Sequence, residues 1–349
     1  MKAIIKAEQK PGSLALVEKD IPVPKEGQVL VKMLTAGICG TDLAIYNWSE
    51  HMAKLVCPPV IIGHEGCGVI ESVGPGINHV NIGEVVGIEN HIPCGKCINC
   101  LNGKGHICLN LKYLGLHMDG LFAEYAVVPA NLVFKLNEKL SPEMGALFDP
   151  YGLAVRAVTT GGGIVGKTVL VTGSGPIGLL TCAFAKHLGA KAVIVSEISP
   201  YRLKFLKRHS KELGIDRIVD SSKEDVVQVV KSMTDHAGAD VWIDFVGSDI
   251  VLEQGIKSTR PGGDARLFAP KDKATINLSE LILHEIQIQT IHGRHIFDTW
   301  HTSSGIINSM HNTLKCIITH KLPLEEYDQA FELVQNGEAM KVIFEIGEK

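Results

Sequence analysis

Cys94, Cys97, Cys100 and Cys108 follow one another at the spacing C-x2-C-x2-C-x7-C. Thiolates gathered that closely repel one another unless a cation lies between them, and a tetrahedral sulfur cage is the habit of structural Zn2+. Two other readings of four cysteines compete. Two disulfides would suit a small exported scaffold, which nothing else in the chain suggests. A ferredoxin-type iron–sulfur cluster would want an x3-Cys-Pro ending that is missing here. A cage closed by four cysteines offers no open position, so it is a staple and does no chemistry.

Reactive chemistry points elsewhere. Cys39, His64, Glu65 and Asp149 supply thiolate, imidazole and carboxylate, the donor mix of a catalytic zinc that keeps one position open. Taken singly, each has a plainer explanation: Cys39 a small buried residue, His64 a satisfied turn histidine, Asp149 a helix cap before Pro150. Together with the cysteine cage they read as a second metal centre.

A third motif, Gly173-Ser174-Gly175-Pro176-Ile177-Gly178, follows an apolar strand and opens a helix. Gly173 permits the tight turn, Gly175 lets backbone approach a pyrophosphate, and Gly178 lets helix pack on sheet. The helix N-terminus then presents free N–H groups to the phosphates. Glu197, 19 residues beyond Gly178, falls where a carboxylate would bond the adenosine ribose and repel the 2′-phosphate of NADP, so NAD is favoured. Arg202 is the counter-signal, since a nearby arginine can accommodate that phosphate. A glycine turn that merely packs a helix is the alternative.

These residues need two kinds of scaffold. Up to about residue 150 the chain reads as short strands broken by Gly and Pro, including 14–17, 29–33, 68–73 and 123–128. Beyond it, strands at 167–172, 192–196, 241–246, 266–269 and 286–291 alternate with helices at 177–188 and 201–213, the pattern of a parallel sheet covered on both faces. A helix near 325–335 and a strand at 341–345 close the chain. The expected division is a β-rich domain at 1–150 with a cysteine lobe at about 91–110, a dinucleotide domain at 151–291, and a return to the first domain at 292–349.

Composition sets the outer bounds. The 349 residues suffice for two cores; 45% are hydrophobic and 21% charged, as in ordinary globular proteins. A net charge of −4 gives no reason to expect nucleic acid or an anionic membrane as partner. No apolar run approaches a membrane span, and the N-terminus MKAIIKAEQK lacks a signal-like stretch. With nine cysteines, the expected compartment is the reducing cytoplasm. Cys57, Cys67, Cys182 and Cys316 read as core or surface thiols.

The string GHE-x2-G-x5-G from Gly63 to Gly74, the cysteine lobe and the glycine motif together resemble the zinc-dependent medium-chain alcohol dehydrogenases over essentially the whole length. Finer strings resemble the family's L-threonine 3-dehydrogenase branch: residues 38–42 and 45–48, His91, residues 122–125, 148–150, 293–294, 297–300 and 317–320. The resemblance implies an α/β fold, a β-rich GroES-like catalytic domain plus a doubly wound Rossmann domain. It implies two Zn2+ per subunit and NAD. Cys39, His64 and a carboxylate from Glu65 or Asp149 would hold the catalytic zinc. The implied reaction is hydride transfer from the zinc-bound alkoxide of a small-molecule alcohol, foremost L-threonine, to the nicotinamide. Thr41 would relay the hydroxyl proton, and His91 would contribute to substrate recognition. Relatives of this kind are commonly tetramers, so a homo-oligomer is expected.

Three features depart from the family pattern. Ala44 stands where relatives commonly have a histidine that completes the proton relay, Leu153 and Arg156 replace the usual Asn and His, and 267–273 lacks the usual glycine-containing loop. A polyol, butanediol or sugar-alcohol dehydrogenase is therefore the competing enzyme. A nucleotide-binding regulatory protein with only the cysteine-lobe zinc is the competing non-enzyme, and a zinc nucleic-acid module is disfavoured by the acidic balance.

Overall fold

The computed structural model describes residues 1–137, 139–269 and 273–347. It contains two compact units. The first comprises Met1–Asp149, His295–His311 and the chain from Ile318 to its end; the second comprises Pro150–Arg294 and Asn312–Ile317.

In the first unit a largely antiparallel sheet runs in the order Val133–Lys135, Val85–Ile88, Glu65–Val73, Gln28–Gly37, Lys341–Glu345, Ile318–Pro323, with Tyr125–Pro129 also pairing Gln28–Gly37. Gln28–Gly37 is the spine. Val29, Val31, Met33, Ala36 and their apolar neighbours are withdrawn from water on both faces, which is why the strand reads as a continuous apolar run. Register brings distant residues level: Gly37 lies opposite Glu65 on one side and Ile343 on the other. One core gathers Ile4, Ile38, Ile45, Phe122, Phe331 and Phe344, and a second gathers Val31, Met33, Ile70, Ile88 and Val128.

The second unit holds six parallel strands in the order Arg217–Asp220, Ala192–Glu197, Thr168–Thr172, Ala239–Asp244, Thr259–Leu267, Gln287–Thr290. Thr168–Thr172 comes first in the chain yet sits in the interior. The strand order therefore reverses beside it, and ligands of doubly wound sheets bind outside such a reversal. Leu170, Ile194, Val219, Trp242 and Ala265 fill the core against the covering helices. This is the β-rich plus doubly wound architecture expected from the alternation of elements.

The elements not anticipated include the strands Arg217–Asp220 and Ile318–Pro323 and the helices Phe148–Thr159, Asp249–Ser258 and Asp298–Leu314, the last of 17 residues. Residues 292–294 and 312–317 group with the second unit, where a wholesale return of 292–349 to the first was expected. Arg156 gives one reason: its guanidinium donates to the carbonyls of His292 and Gly293 at 2.6 and 2.9 Å. Residues 270–272 of the unusual 267–273 segment lie outside the described residues. No helix among the described residues is long and apolar enough to cross a membrane.

Candidate active site and metal centres

Cys39 follows the spine strand as the N-cap of the helix Gly40–Tyr46, and Glu65 opens the neighbouring strand Glu65–Val73. His64 is delivered by Gly63, whose φ of +90° suits glycine and whose absent Cβ would stand 2.2 Å from the Phe122 ring. These elements bring donor atoms of Cys39, His64 and Glu65 within 4.8 Å of one another. His64 and Glu65 are both buried, at 5% and 2% exposure, so their charges are not dispersed by water.

The surroundings orient the donors. Asp42 Oδ2 accepts from the Cys39 backbone N–H at 2.8 Å, and Asp42 Oδ1 stands 3.3 Å from His64 Nδ1. A carboxylate behind an imidazole fixes the ring and leaves the other nitrogen, Nε2, for a metal. Burial opposes a charged His64, but the Asp42 and Cys39 charges outweigh it and raise its pKa well above the ordinary value.

Lys341 is the larger surprise. Its ammonium is fully buried, pairs with Glu65 Oε2 and donates to the Ile38 carbonyl at 2.9 Å. Burial opposes this charge too, yet Glu65, Cys39 and Asp42 raise the Lys341 pKa, so it stays an ammonium. Gly37 makes the pairing possible: a Cβ there would stand 2.8 Å from Glu65 Oε2 and 2.9 Å from Lys341 Cε. The pocket thus concentrates a thiol and several carboxylates around one imidazole and one ammonium. That donor set, with its surplus of buried negative groups, fits a divalent cation of the zinc type.

Asp149 does not join the convergent trio. It is buried, accepts from Asn90 Nδ2 at 2.7 Å, and lies close enough that its charge adds to the burial that raises the Glu65 pKa. Thr41 lies in the first turn after Cys39, its hydroxyl 3.9 Å from the Cys39 sulfur. His91 is buried; Nδ1 and the backbone N–H both meet Glu89 Oε1, at 2.7 and 2.8 Å, and its ring meets Tyr113 edge-on at 5.2 Å. Asp42 carried no assigned role in the sequence reading, and Lys341 and Asn90 were missed outright. The available signal for Lys341 was a single lysine heading the apolar run Val342–Phe344.

The four cysteines converge as a second cluster within 4.8 Å. Cys97 Sγ stands 3.4 Å from Cys100 Sγ and 3.7 Å from Cys108 Sγ, contacts too long for disulfide bonds. Backbone N–H groups of Cys94 and Asn110 donate to Cys108 Sγ at 3.2 and 3.3 Å. Backbone donors at Cys100 and Leu109 pull the Cys97 thiol down to about 6, while burial and the neighbouring sulfurs push Cys100 up to about 12. Such a split is what one cation replacing the shared protons would erase, and the set fits structural zinc.

In the second unit the glycine turn has the geometry its spacing foretells. Gly173 has φ +90°, and a Cβ on Gly178 would strike the Gly173 carbonyl at 2.1 Å, so helix Pro176–His187 rests directly on the turn. Around Gly175 a Cβ would meet only the Arg202 guanidinium, 4.0 Å away, which leaves its backbone approachable. Pro176 and Ile177 form the first turn of that helix. Glu197 is held by four donors: Ser174 N–H and Oγ on one oxygen at 2.9 and 2.7 Å, and the N–H groups of Ile198 and Ser199 on the other at 2.8 and 2.9 Å. Burial opposes the carboxylate, but these donors win and lower its pKa. Arg202 stands 3.7 Å from the same Glu197 carboxylate.

Sequence comparison agrees with this geometry. Residues 25–138 match the alcohol dehydrogenase GroES-like domain, and residues 176–309 match the zinc-binding dehydrogenase domain. The L-threonine 3-dehydrogenase of Pyrococcus horikoshii is 44% identical over 348 residues, covering 99% of this chain and 98% of that protein. Among solved structures, 2R,3R-butanediol dehydrogenase from Bacillus subtilis aligns with a TM-score of 0.87 and 28% identity, covering 99% of each chain. A short chain alcohol dehydrogenase of E. coli CFT073, solved with NADH, aligns at 0.88 and 28% identity, again over 99% of each. The chain belongs to the zinc-dependent medium-chain alcohol dehydrogenases. Within that family its full-length likeness is to the L-threonine 3-dehydrogenases.

Proposed function

We propose that the chain oxidises L-threonine at its C3 hydroxyl to 2-amino-3-oxobutanoate, with NAD as hydride acceptor. The observation that carries this reading is the convergence of half-buried Cys39 with buried His64 and Glu65 in a chain so similar to an L-threonine 3-dehydrogenase. Zinc bound there would act as a Lewis acid and lower the pKa of a secondary alcohol toward neutrality.

The chain's own residues divide the remaining work. Asp42 turns the His64 ring, and Lys341 anchors Glu65 while keeping the pocket from excess negative charge. Asp149 is the alternative carboxylate donor, steadied by Asn90. The Thr41 hydroxyl can accept the proton leaving the substrate hydroxyl and donate its own outward; with Ala44 in the usual histidine position, the later stage of that relay passes to water. His91, its ring fixed by Glu89, recognises the amino-acid end of the substrate. Gly173, Gly175, Pro176, Ile177 and Gly178 cradle the dinucleotide pyrophosphate. Glu197 selects NAD over NADP, since a second negative charge beside its carboxylate is repelled, and Arg202 is already paired with that carboxylate.

Two broader assignments accompany this. Nine cysteines, none of them in a disulfide, suit a reducing cytoplasm. The edge strand Gln287–Thr290 and the exposed side chains of Leu278, Ile282, Leu283 and Ile288 support a homo-oligomer, which light scattering at one subunit mass would refute; a tetramer is the proposed number.

Initial rates of the zinc-loaded enzyme on L-threonine, 2R,3R-butanediol and sorbitol, each with NAD and NADP, test the substrate. The highest kcat/KM is expected for L-threonine with NAD. Saturable turnover of butanediol or sorbitol with none of L-threonine would move the reading to the competing polyol or butanediol enzyme, which the fold likeness would then favour.

A further inference from the structure

We propose that His209, Glu212 and Cys316 form a third metal site, confined to the second unit and suited to a divalent cation that accepts sulfur and nitrogen, such as Zn2+. Their donor atoms lie within 4.8 Å of one another. Sulfur, imidazole and carboxylate are three different donors, with His209 and Glu212 from one stretch of chain and Cys316 from a distant one, and the set differs from a surface cluster of carboxylates alone.

The local structure holds each donor in place. His209 is the last residue of the helix Pro200–His209, and its ring packs on Phe205 with centroids 4.5 Å apart. Glu212 follows three residues later, and its Oε2 stands 3.1 Å from His209 Nδ1. A helix C-terminus carries partial negative charge from its unpaired carbonyls, so it attracts a cation. Cys316 arrives on the short turn Lys315–Ile317, half-buried, its thiol donating to the Thr313 carbonyl at 3.2 Å.

The charges of the donors match a divalent ion. Binding would displace one proton from Cys316 while His209 binds neutral and Glu212 as carboxylate, so the two negative donors balance the two positive charges of the ion. Thiolate and imidazole select Zn2+, Co2+ or their neighbours over Mg2+ and Ca2+. Three protein ligands leave a fourth position to water.

The test is a metal count on the full chain, equilibrated with excess Zn2+ and then freed of loose ions by a weak chelator. Three ions per subunit are expected for the parent protein, and two for Cys316→Ser and for His209→Ala. Glu212→Gln, which keeps the shape, should weaken the third ion at least tenfold. Cys57→Ser, at an exposed thiol outside the cluster, should leave the count at three. With Co2+ as probe, the thiolate-to-metal absorption of the third equivalent should vanish in Cys316→Ser. A parent count that stops at two, or a third ion that survives both Cys316→Ser and His209→Ala, overturns the proposal. Because the count does not depend on turnover, it fails or succeeds separately from the substrate assignment.

Discussion

The two candidate metal centres of the first unit are built on opposite principles. The cysteine cage uses four identical donors from one short loop, held by backbone N–H groups, at half-exposed positions apart from Cys108. The Cys39–His64–Glu65 site uses three different donors, Cys39 half-buried just past the spine strand and His64 and Glu65 buried at the start of its neighbour, each oriented by a further side chain or by register. A cage saturated by its own loop can only stabilise. A site with mixed donors, an open position and supporting charges can bind, polarise and release. The lesson is that donor count and the source of orientation, more than metal identity, separate the two.

The largest expected effect is on the cage. Cys100→Ser should remove one zinc per subunit and unfold the lobe, because metal binding supplies most of such a lobe's folding free energy, on the order of 10 kcal/mol. Soluble yield and zinc content after purification check this; a stable variant with undiminished zinc would erase the contrast.

Lys341→Met comes next. Removing one partner of a buried pair costs roughly 3–5 kcal/mol because Glu65 is left uncompensated. The loss should be full in metal-free protein and largely recovered with Zn2+, which supplies the missing positive charge. Melting curves with and without zinc decide it, and equal losses in both would detach Glu65 from the metal.

A smaller effect concerns the second unit. Glu197→Ala should weaken NAD about tenfold, from the roughly 1.5 kcal/mol of a charged hydrogen bond, while NADP changes less. An unchanged ratio of the two dissociation constants would deny Glu197 the ribose role.

The contrast also explains what the sequence could reveal. The cage and the glycine turn are local, so spacing alone exposes them. Cys39, His64 and Glu65 were legible as residue types, but their convergence rests on sheet register. Lys341 was not legible, since its partner lies 276 residues away and only the pairing of Lys341–Glu345 with Gln28–Gly37 turns it inward. Helix Asp298–Leu314 escaped notice because its Ser, Thr and Asn residues and Gly305 interrupt the apolar period. Strand Arg217–Asp220 is only four residues long, too short to alternate clearly.

The central claim is that the mixed-donor site performs the chemistry while the dinucleotide is held independently. Cys39→Ser, loaded with zinc and given L-threonine and NAD, isolates it: NADH formation should disappear, with NAD affinity within about twofold of the parent by fluorescence titration. Turnover that persists in this variant would contradict the account.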